Sequence, residues 1–425
     1  MRIVLVVADS LRADHVGVVS PGARTPTLDR LAADGAVVEN VVSASPWTLP
    51  SMASMLTGVY GHRVGLVHWK QPWRRRFPTL FHRFAGAGYA TASHVFDPAY
   101  LFTGMPEAGV RGDSRDEDAL FSDLTGSREQ DEFVFIQYWG THIPYIARPM
   151  SVATWKKITD GLIDVLNRDP VHRDKLKALY RLSVERFSEE WIPKLLAALD
   201  ASGDMSETLI VVTSDHGETW GERQGPGRKI DGVFDLHGNS LHGESLRVPL
   251  IMVAPGRIPA GRRIGGLVSS VDVAPTILEL AGLTPPLVAA DPALDGVSLL
   301  KNLVEGGPST RQTAVSARNR TLPELLANET TSIKAAEAWH QFSLTTPEHK
   351  WIWGPGEALV SYDLVRDPTE TSPVTVSGDA SGAALAHLVA EYQRSRLEGV
   401  PGSLIESLRE LAAEARASVL RRSPL

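Results

Sequence analysis

Short apolar segments rich in β-branched residues recur along the chain, and they constrain its fold more than any other feature. The first, RIVLVVA at residues 2–8, is apolar after its arginine, as a strand buried on both faces requires. Four further segments have a similar character: YATASHVF (89–96), FVFIQYW (133–139), TLIVVTS (208–214) and PLIMVA (249–254). Segments with helical patterning separate them. The sequence therefore predicts an α/β fold with a mostly parallel central sheet flanked by helices.

Helix signals lie between the predicted strands. The segment TPTLDRLAADG (25–35) has threonine at the N-cap position, proline at the first helical position and glycine at the end. Longer helical stretches are predicted at about 151–169 and 172–201. Another helix is predicted to start with Thr48 as its N-cap, because threonine is a common cap and Pro50 is tolerated in a first turn.

The character of the sequence changes near residue 340. The stretch QFSLTTPEHKWIWGPGEALVSYDLV (341–365) alternates strand-like runs with turn signals, which predicts a small antiparallel sheet. Residues 403–422 carry apolar side chains at helical spacing, a pattern typical of core or dimer packing, so a homo-oligomer stays open. We therefore expect a large α/β catalytic domain at 1–335 and a small C-terminal subdomain at 336–425 with a terminal amphipathic helix.

Composition narrows the classes of partner and compartment. The 425 residues carry a formal net charge of −7, which argues against nucleic acid or an anionic membrane surface as a partner. There is no cysteine, so disulfides, thiolate metal sites and a cysteine nucleophile are excluded. No apolar run reaches the ~20 residues of a membrane span, and the N-terminal segment lacks a signal-peptide pattern. We expect a cytoplasmic protein that acts on a small molecule, with no membrane partner.

Residues with metal-binding or nucleophilic side chains follow predicted strands or begin a predicted helix. Five residues have this placement: Asp9, Thr48, His142, Asp215 and His216. In open α/β sheets ligands bind beyond the carboxyl ends of the strands, so we expect these side chains to converge there. Carboxylates, one imidazole and a hydroxyl suit one divalent cation. Mn or Zn fits this set better than Ca, whose ligands are normally all oxygen, and Ca stays open.

Such a site would activate the hydroxyl of Thr48. A cation held by Asp9, Asp215 and His216 would lower the pKa of that hydroxyl and make it a nucleophile at neutral pH. The helix that begins there would add backbone N–H groups and a positive dipole where a developing oxyanion would lie.

A second polar cluster lies in DLHGNSLHGESLRVPL (235–250). It contains His237, His242, Glu244 and Arg247, which have the chemistry to bind an anionic substrate or to protonate a leaving group. Arg12 is a further candidate for binding an anionic oxygen, and an ion pair with Asp14 or a neighbour explains it at least as well.

Each candidate also has a structural interpretation. Asp9 fits an ordinary loop carboxylate, and Thr48 fits a simple helix cap. His142 fits a packed turn, and Asp215 with His216 fits a strand-to-loop junction. The convergence of candidate ligands from distant segments favours the functional interpretation.

The same segments resemble, in order along most of the chain, the motifs of the sulfatase branch of the alkaline phosphatase superfamily. VVADSLRADHVG resembles the first-strand metal motif, TLPSMASMLTGVYGHRVG the nucleophile motif, THIPY the His-x-Pro segment and SDHGE the second metal motif. HGNSLHGESLRVPLIMVAPG resembles the Lys/His and Arg-Val-Pro stretch. The resemblance implies an alkaline phosphatase-like fold and a metal-dependent ester hydrolase. It implies these site residues: Asp9, Thr48, Asp215 and His216 at the metal, and His142, His237 and, more weakly, His242 near substrate oxygens or the leaving group.

The departures from that pattern bear on function. Sulfatases of the usual kind carry Cys or Ser that is converted to formylglycine, whereas this chain has Thr48, which cannot give that aldehyde. Met52 replaces the motif arginine, and Ser10 replaces the second of the usual paired aspartates, which removes one oxygen ligand. His216 replaces the usual asparagine. These departures resemble the phosphorus-handling relatives: phosphodiesterases, phosphonate ester hydrolases and phosphoryl-type transferases.

The sequence therefore predicts a hydrolase with one divalent cation that cleaves a small anionic phosphoric ester. The ester is a diester, a monoester or a phosphonate, and the reaction passes through a covalent intermediate on Thr48. Two alternatives stay open within the family, a sulfuric ester hydrolase and a transferase that passes the phosphoryl group to a metabolite acceptor. A catalytically inactive anion-binding protein is the alternative of another class.

Overall fold

A computed structural model describes most of the chain. It covers residues 1–65, 77–96, 101–102, 105–126, 128–146, 151–168, 172–220, 222, 237–238, 240–283, 294–319, 339–375 and 379–398. The amphipathic segment predicted at 403–422 lies outside these residues.

A nine-stranded sheet, sheet A, forms the centre of the described protein. Its strands are β1 Arg2–Ala8, β2 Ala36–Val42, β3 Ala90–Val95, β4 Val110–Asp113, β5 Glu132–Tyr138, β6 Thr208–Thr213, β7 Arg247–Val253, β8 Arg262–Ile264 and β9 Val268–Ser269. Their order is β4-β3-β5-β1-β6-β7-β2-β8, and β9 also pairs with β2. Within the described residues, only β7 runs antiparallel to its neighbours. The five predicted strands are present, and the mostly parallel α/β fold is confirmed.

β1 lies in the middle of sheet A and is buried on both faces. Ile3, Leu5 and Val7 enter one hydrophobic core, and Val4, Val6 and Ala8 enter the core on the opposite face. None of these six side chains is exposed to solvent, and each fully buried Val, Leu or Ile contributes roughly 1.5–3 kcal/mol. A slip of one residue would send every side chain to the wrong face, so burial fixes the register of the strand that leads to Asp9.

Helices cover both faces of sheet A. The described helices are α1 Pro26–Ala33, α2 Thr48–Thr57, α3 Gly61–Val64, α4 Leu80–Gly86, α5 Glu117–Thr125, α6 Val152–Arg168, α7 His172–Arg186, α8 Ile192–Ala201, α9 Gly243–Leu246, α10 Val273–Leu280, α11 Leu300–Glu305 and α12 Asp379–Glu398. None of these helices combines the length and the apolar character that crossing a membrane requires.

One predicted helix is divided in the structure. The helix expected at 172–201 is α7 and α8, joined by a π-helical turn at Phe187–Trp191. The physical reason is Pro193, which has no N–H to donate to the carbonyl one turn earlier, so the hydrogen-bond pattern changes there. The helices predicted at 25–35 and 151–169 are present as α1 and α6.

A second, antiparallel sheet, sheet B, follows in the C-terminal part of the chain. Its four strands are β10 Ala314–Asn319, β11 Trp339–Thr345, β12 His349–Trp353 and β13 Val360–Asp363, paired in that order. The small antiparallel sheet predicted from residue 340 is confirmed. β10 belongs to this sheet although it precedes the expected boundary between 335 and 336, and the division into two parts at that boundary stays a prediction. β10 was not predicted, because a long connection separates it from β11 and the prediction rested on closely spaced hairpins.

Sheet B is attached to the loop between β2 and α2. The Ala317 amide donates a hydrogen bond to the Ala44 carbonyl at 3.0 Å, and Ser316 Oγ donates to the Ser43 carbonyl at 2.6 Å. Through these bonds, the C-terminal part of the chain holds the segment that leads into Thr48.

Candidate active site

The carboxyl ends of β1 and β6 bring three predicted ligands together. Asp9 directly follows β1, and Asp215 and His216 follow β6 after one serine. All three are fully buried, and one ligand atom of each lies within 4.8 Å of the others. His216 Nε2 is 3.8 Å from Asp9 Oδ1 and 3.3 Å from Asp215 Oδ2. The arrangement places two carboxylates and one imidazole around a common point, as the sequence predicted.

Hydrogen bonds orient these ligands toward that point. Gln137 on β5 donates to Asp9 Oδ2 at 2.8 Å, and the Ser10 amide donates to Asp215 Oδ1 at 3.1 Å. His216 Nδ1 donates to the Gly217 carbonyl at 2.7 Å, which leaves a lone pair on Nε2. Asp215 Oδ2 is buried and accepts no hydrogen bond from any residue that the structure describes. A buried carboxylate oxygen without a donor fits a cation ligand.

The electrostatics of the three ligands also fit a cation. Burial and the charge of Asp215 raise the pKa of Asp9 well above its ordinary value. Burial raises the pKa of Asp215 to about 6. Burial lowers the pKa of His216, so its imidazole is neutral and its Nε2 is a competent ligand. A divalent cation among these groups would offset the cost of burying two carboxylates.

Thr48 lies at the same point. It is 4% exposed, and its Oγ1 is 3.2 Å from His216 Nε2. The prediction that Thr48 is the N-cap of α2 is wrong by one residue, because Trp47 takes the extended cap conformation and Thr48 is the first helical residue. The Thr48 hydroxyl therefore meets the ligand group at the positive end of α2.

A hydrogen bond ties α2 to the candidate metal ligands. Ser51, one turn after Thr48, donates from Oγ to the Asp215 carbonyl at 2.5 Å. Met52, at the position of the family's arginine, is fully buried in the apolar core and brings no charge to the site. The helix ends at Gly58, whose φ of 73° is a left-handed conformation that glycine adopts readily.

Two further imidazoles stand beside His216. The ring of His237 lies 4.8 Å from that of His216 and 4.9 Å from that of His142, measured between centroids. His142 donates from Nδ1 to the Ile143 carbonyl at 2.7 Å, and its ring stacks on Trp139 at 4.0 Å. The structure thus joins both predicted residues, His142 and His237, to the ligand group.

The two imidazoles differ in their protonation. Burial lowers the pKa of His142 well below its ordinary value, and the neighbouring His237 lowers it further. Burial also lowers the pKa of His237, but the charge of Glu218 and its hydrogen bond to Nδ1, 3.0 Å long, outweigh burial. With Asp9 and Asp215 adding to this effect, the pKa of His237 rises to about 9. One imidazole is therefore neutral and the other is positively charged.

Sequence reasoning missed two residues that support this group, Gln137 and Glu218. Gln137 is the one amide side chain in the otherwise apolar segment FVFIQYW, at the carboxyl end of β5. Glu218 follows His216 by two residues within SDHGE. The signal that could have found Gln137 is a polar residue at the end of a buried strand. Glu218 could be noticed only as part of the SDHGE motif.

Arg12 takes the ion pair that the sequence left as its alternative. Its guanidinium pairs with Asp14 and with Glu222, each at 2.7 Å, and donates to the Glu218 carbonyl at 2.9 Å. These partners hold Arg12 against the loop after β6, as the alternative interpretation of this residue expected, and a contact between Arg12 and a substrate oxygen stays a prediction.

His242 also has a structural environment. It occupies the N-cap position of α9, and its ring lies against Tyr362 of β13. Its Nδ1 is 3.1 Å from Ser240 Oγ, and its Nε2 is 3.1 Å from the Tyr362 hydroxyl. These contacts link α9 to sheet B through His242, and its role in binding substrate stays a prediction.

Comparisons with known proteins agree with this fold. Residues 2–283 match the family model described as Sulfatase, and residues 231–391 match the one described as N-sulphoglucosamine sulphohydrolase, C-terminal. The multifunctional alkaline phosphatase superfamily protein PehA of Trinickia caryophylli is 24% identical, over 93% of this chain and 94% of that protein. N-acetylgalactosamine-6-sulfatase of Mus musculus is 23% identical, over 94% of this chain and 87% of that protein.

A solved structure shows the same architecture. The phosphonate monoester hydrolase of Agrobacterium radiobacter superposes with a TM-score of 0.69 at 19% identity, over 93% of this chain and 96% of that one. Since the sulfatase model spans more than half of the chain, the protein belongs to the sulfatase family of the alkaline phosphatase superfamily, a family of ester hydrolases.

Proposed function

We propose that the protein is a metal-dependent hydrolase of phosphoric esters in which Thr48 is the nucleophile. The observation that carries the proposal is the position of the Thr48 hydroxyl. It lies 3.2 Å from His216 Nε2, at the N-terminus of α2 and beside the two buried carboxylates. A hydroxyl in this position has both a neighbouring cation site and a helix dipole to activate it.

One divalent cation would be held by Asp9, Asp215 and His216, with the Thr48 oxygen as a further ligand. Two carboxylates and an imidazole suit Mn or Zn, with Ca as the alternative. When bound, the cation supplies positive charge that lowers the pKa of the Thr48 hydroxyl and offsets the charge of the ester.

The residues of the chain then carry the reaction in two displacements. The Thr48 hydroxyl gives its proton to solvent and Oγ1 attacks phosphorus; the bond from Oγ1 to phosphorus forms as the bond to the leaving oxygen breaks, and a proton returns from solvent when Thr48 is released. The first N–H groups of α2 stabilise charge on the phosphoryl oxygens. Water then attacks phosphorus and releases Thr48. The result is hydrolysis with a covalent phosphothreonine intermediate.

The two imidazoles beside His216 suit the two proton transfers. His237 is protonated and donates to the leaving oxygen in the first displacement. His142 is neutral with a lone pair on Nε2, and it accepts a proton from the attacking water in the second. Such a pair, with pKa values moved in opposite directions, is what acid and base catalysis in one site needs.

The choice of phosphorus over sulfur rests on threonine chemistry and on the relatives. The β-carbon of threonine carries a methyl group, so its oxidation would give a ketone rather than formylglycine. The intermediate is therefore an ester that water must cleave at its central atom. The relatives that match along nearly the whole chain include a multifunctional alkaline phosphatase superfamily protein, with which a phosphoric ester is compatible, as well as N-acetylgalactosamine-6-sulfatase, so the threonine carries most of the argument.

The test is a substrate panel with variants of Thr48. Aryl phosphate diesters, monoesters, phosphonates and sulfates are assayed with metal-depleted protein reloaded with Mn, Zn or Ca. We expect the phosphorus esters to be turned over faster than the sulfates. Thr48→Ala should lose at least about 10³-fold in kcat, whereas Thr48→Ser, which keeps the hydroxyl, should retain most activity.

Three outcomes would overturn parts of the proposal. Activity in Thr48→Ala with loss in Asp215→Ala would mean that water attacks directly. Preferred turnover of sulfates would make the protein a sulfuric ester hydrolase. Transfer of the phosphoryl group to an added alcohol or amine, instead of to water, would make the protein a transferase.

A further inference from the structure

Glu218 is a buried carboxylate to which the reaction above gives no chemical step. Its side chain is fully buried, and its Oε1 accepts the hydrogen bond from His237 Nδ1 at 3.0 Å. Its Oε2 accepts a hydrogen bond from the Tyr145 hydroxyl at 3.1 Å. Burying a carboxylate costs free energy even when it accepts two such hydrogen bonds. The presence of one beside the candidate site therefore favours a functional role.

We propose that Glu218 is a positioning residue that fixes the ring orientation of His237 and keeps a hydrogen on Nδ1, so that Nε2 is the nitrogen presented to the leaving group. The inference rests on the proposed function for the identity of the leaving group, and on geometry alone for the pairing of the two side chains.

The surroundings of Glu218 hold its carboxylate in one place. Tyr145, which donates to Oε2, itself accepts a hydrogen bond from Trp220 Nε1 at 3.1 Å. The Trp220 ring packs edge-on against Tyr180 at 4.8 Å, and the Arg12 guanidinium covers it at 4.9 Å. The carboxylate is thus backed by a packed aromatic wall, and it has little freedom to follow a moving imidazole.

The backbone before Glu218 is equally constrained. The Glu218 amide donates to the Glu244 carbonyl at 3.2 Å. A Cβ at Gly217 would lie 2.0 Å from that same carbonyl oxygen, so only glycine permits this approach. The close contact sets the position of Glu218 relative to His216, two residues earlier.

Among the residues that the structure describes, His237 has one hydrogen-bond partner, Glu218. Its ring stands against the rings of His216 and His142, which make ring contacts rather than hydrogen bonds to it. A half-turn of the ring would exchange a nitrogen for a carbon toward the ester. A carboxylate on Nδ1 removes that ambiguity, as buried acids do for imidazoles elsewhere.

The proton balance of the step is simple. As the bond between phosphorus and the leaving oxygen breaks, that oxygen takes the hydrogen of His237 Nε2. His237 is left neutral with its remaining hydrogen on Nδ1, still donated to Glu218. Glu218 therefore exchanges no proton, and its effect passes entirely through His237.

The test is a double-mutant cycle with two leaving groups. Glu218→Gln, His237→Gln and the double variant are assayed as metal-loaded protein on a 4-nitrophenyl ester and on an alkyl ester of the same phosphoryl group. We expect Glu218→Gln to lower kcat about 10²-fold for the alkyl ester, to change KM little, and to affect the nitrophenyl ester much less. The double variant should be no slower than His237→Gln.

A matched control comes from another carboxylate–histidine pair. Asp123 Oδ2 lies 2.9 Å from His94 Nε2, away from the ligand group, so Asp123→Asn removes a similar contact. Its kinetics on both esters should equal those of the wild type. Tyr145→Phe removes a donor to Glu218 without changing charge, and it is the second variant if Glu218→Gln does not fold.

Additive losses in the cycle, or equal losses on both esters, would show that Glu218 acts on the fold and would overturn the inference. Imidazole ¹⁵N spectra, assigned through His237→Gln, give a readout that needs no turnover. The Nδ1 signal of His237 should shift in Glu218→Gln and stay in Asp123→Asn, and an unchanged signal would also overturn it. Activity in Thr48→Ala would instead refute the nucleophile while leaving this coupling measurable.

Discussion

At the scale of single residues, His216 and Asp215 each use one polar atom of the side chain for hydrogen bonds within the protein and leave the other polar atom for the candidate metal site. His216 gives Nδ1 to the Gly217 carbonyl and keeps Nε2. Asp215 accepts the amides of Ser10 and His216 on Oδ1, while Oδ2 accepts no hydrogen bond within the described chain. This division is how a protein orients metal ligands before a metal binds.

Gln137 offers a test of that arrangement. Gln137→Leu removes the hydrogen bond to Asp9 Oδ2, and we expect it to weaken Mn or Zn binding by about 10–100-fold, as loss of an outer partner of a metal ligand does. Isothermal titration calorimetry of metal-depleted protein measures this change.

The matched control is Thr213→Val. Gln137 and Thr213 both pair with Val7, so they stand at the same level of sheet A on either side of β1. Thr213 donates to the Pro249 carbonyl rather than to a ligand. Equal weakening by both variants would point to the sheet, and unchanged affinity in Gln137→Leu would remove Asp9 from the ligand set.

The residues that the sequence located are those whose place follows from strand ends. Asp9, Asp215 and His216 each follow a buried strand, so their convergence was predictable. Arg12 and His242 stay predictions as substrate-binding residues, and the structure adds partners for them from distant segments. Spacing along the chain gave no sign of Glu222 or Tyr362.

At the scale of elements, α2 is the part of the fold on which the proposed chemistry depends. Its first residue is Thr48, and its first turn is tied to the segment after β6 by Ser51. Ser54, one further turn along, donates to the Pro50 carbonyl of its own helix at 2.7 Å. Both serines are fully buried. They form a matched pair, because Ser51 bonds to a residue outside the helix and Ser54 bonds within it.

We expect Ser51→Ala to lower kcat/KM by roughly tenfold, because a small displacement of a nucleophile is costly. Its free energy of unfolding should fall by about 1 kcal/mol, the net contribution of one hydrogen bond. Ser54→Ala should keep its activity. Steady-state kinetics and urea unfolding of both variants decide the matter, and equal activity in the two would show that the tie from α2 to Asp215 does not position Thr48.

The elements differ in how far the sequence determines them. The apolar parallel strands were predictable because burial on both faces requires continuous β-branched runs. β2 was missed because Glu39 and Asn40 interrupt its apolar run where the strand is half-buried. The antiparallel direction of β7 depends on its partners β6 and β2, and no pattern within PLIMVA records it.

At the scale of the whole molecule, the C-terminal part supports the segment that carries the nucleophile. β10 bonds to the loop before α2, and α12 reaches α3 through a buried pair. In that pair Glu391 Oε2 lies 2.8 Å from His62 Nε2, and both side chains are at most 7% exposed.

The pair predicts a pH dependence of stability. Burial alone would raise the pKa of Glu391, but the hydrogen bond and charge of His62 outweigh it and lower that pKa below its ordinary 4.5. A carboxyl whose folded-state pKa is lowered stabilises the fold above its unfolded-state pKa. That stabilisation is lost as the pH falls through the folded-state value.

We therefore expect Glu391→Gln to reduce the free energy of unfolding at neutral pH by about 1–3 kcal/mol. The difference from wild type should shrink as the pH falls below the ordinary value of 4.5. Urea unfolding at a series of pH values measures both effects, and Glu348→Gln, an exposed change in the turn between β11 and β12, is the control. A difference that stayed constant into acid would contradict the ionic account of the pair.

The extent of sheet B along the chain was less predictable from the sequence than the α/β fold class. Alternating strands and helices were enough to predict the α/β sheet, whereas β10 is separated from the rest of sheet B by a long connection. α12 was not predicted, because its apolar residues are mostly alanines and are spread around the helix. Long-range pairing leaves little trace in local periodicity, and this is why the pairing of β10 with β11 across residue 335 was not predicted.

The most direct test of the central claim is rapid-quench mass spectrometry of metal-loaded protein during turnover of a phosphoric ester. The peptide that contains Thr48 should carry one phosphoryl group in the wild type, and the corresponding peptide of Thr48→Ala should carry none. Steady turnover with the Thr48 peptide unmodified at every time point, or the group on another residue, would contradict the account.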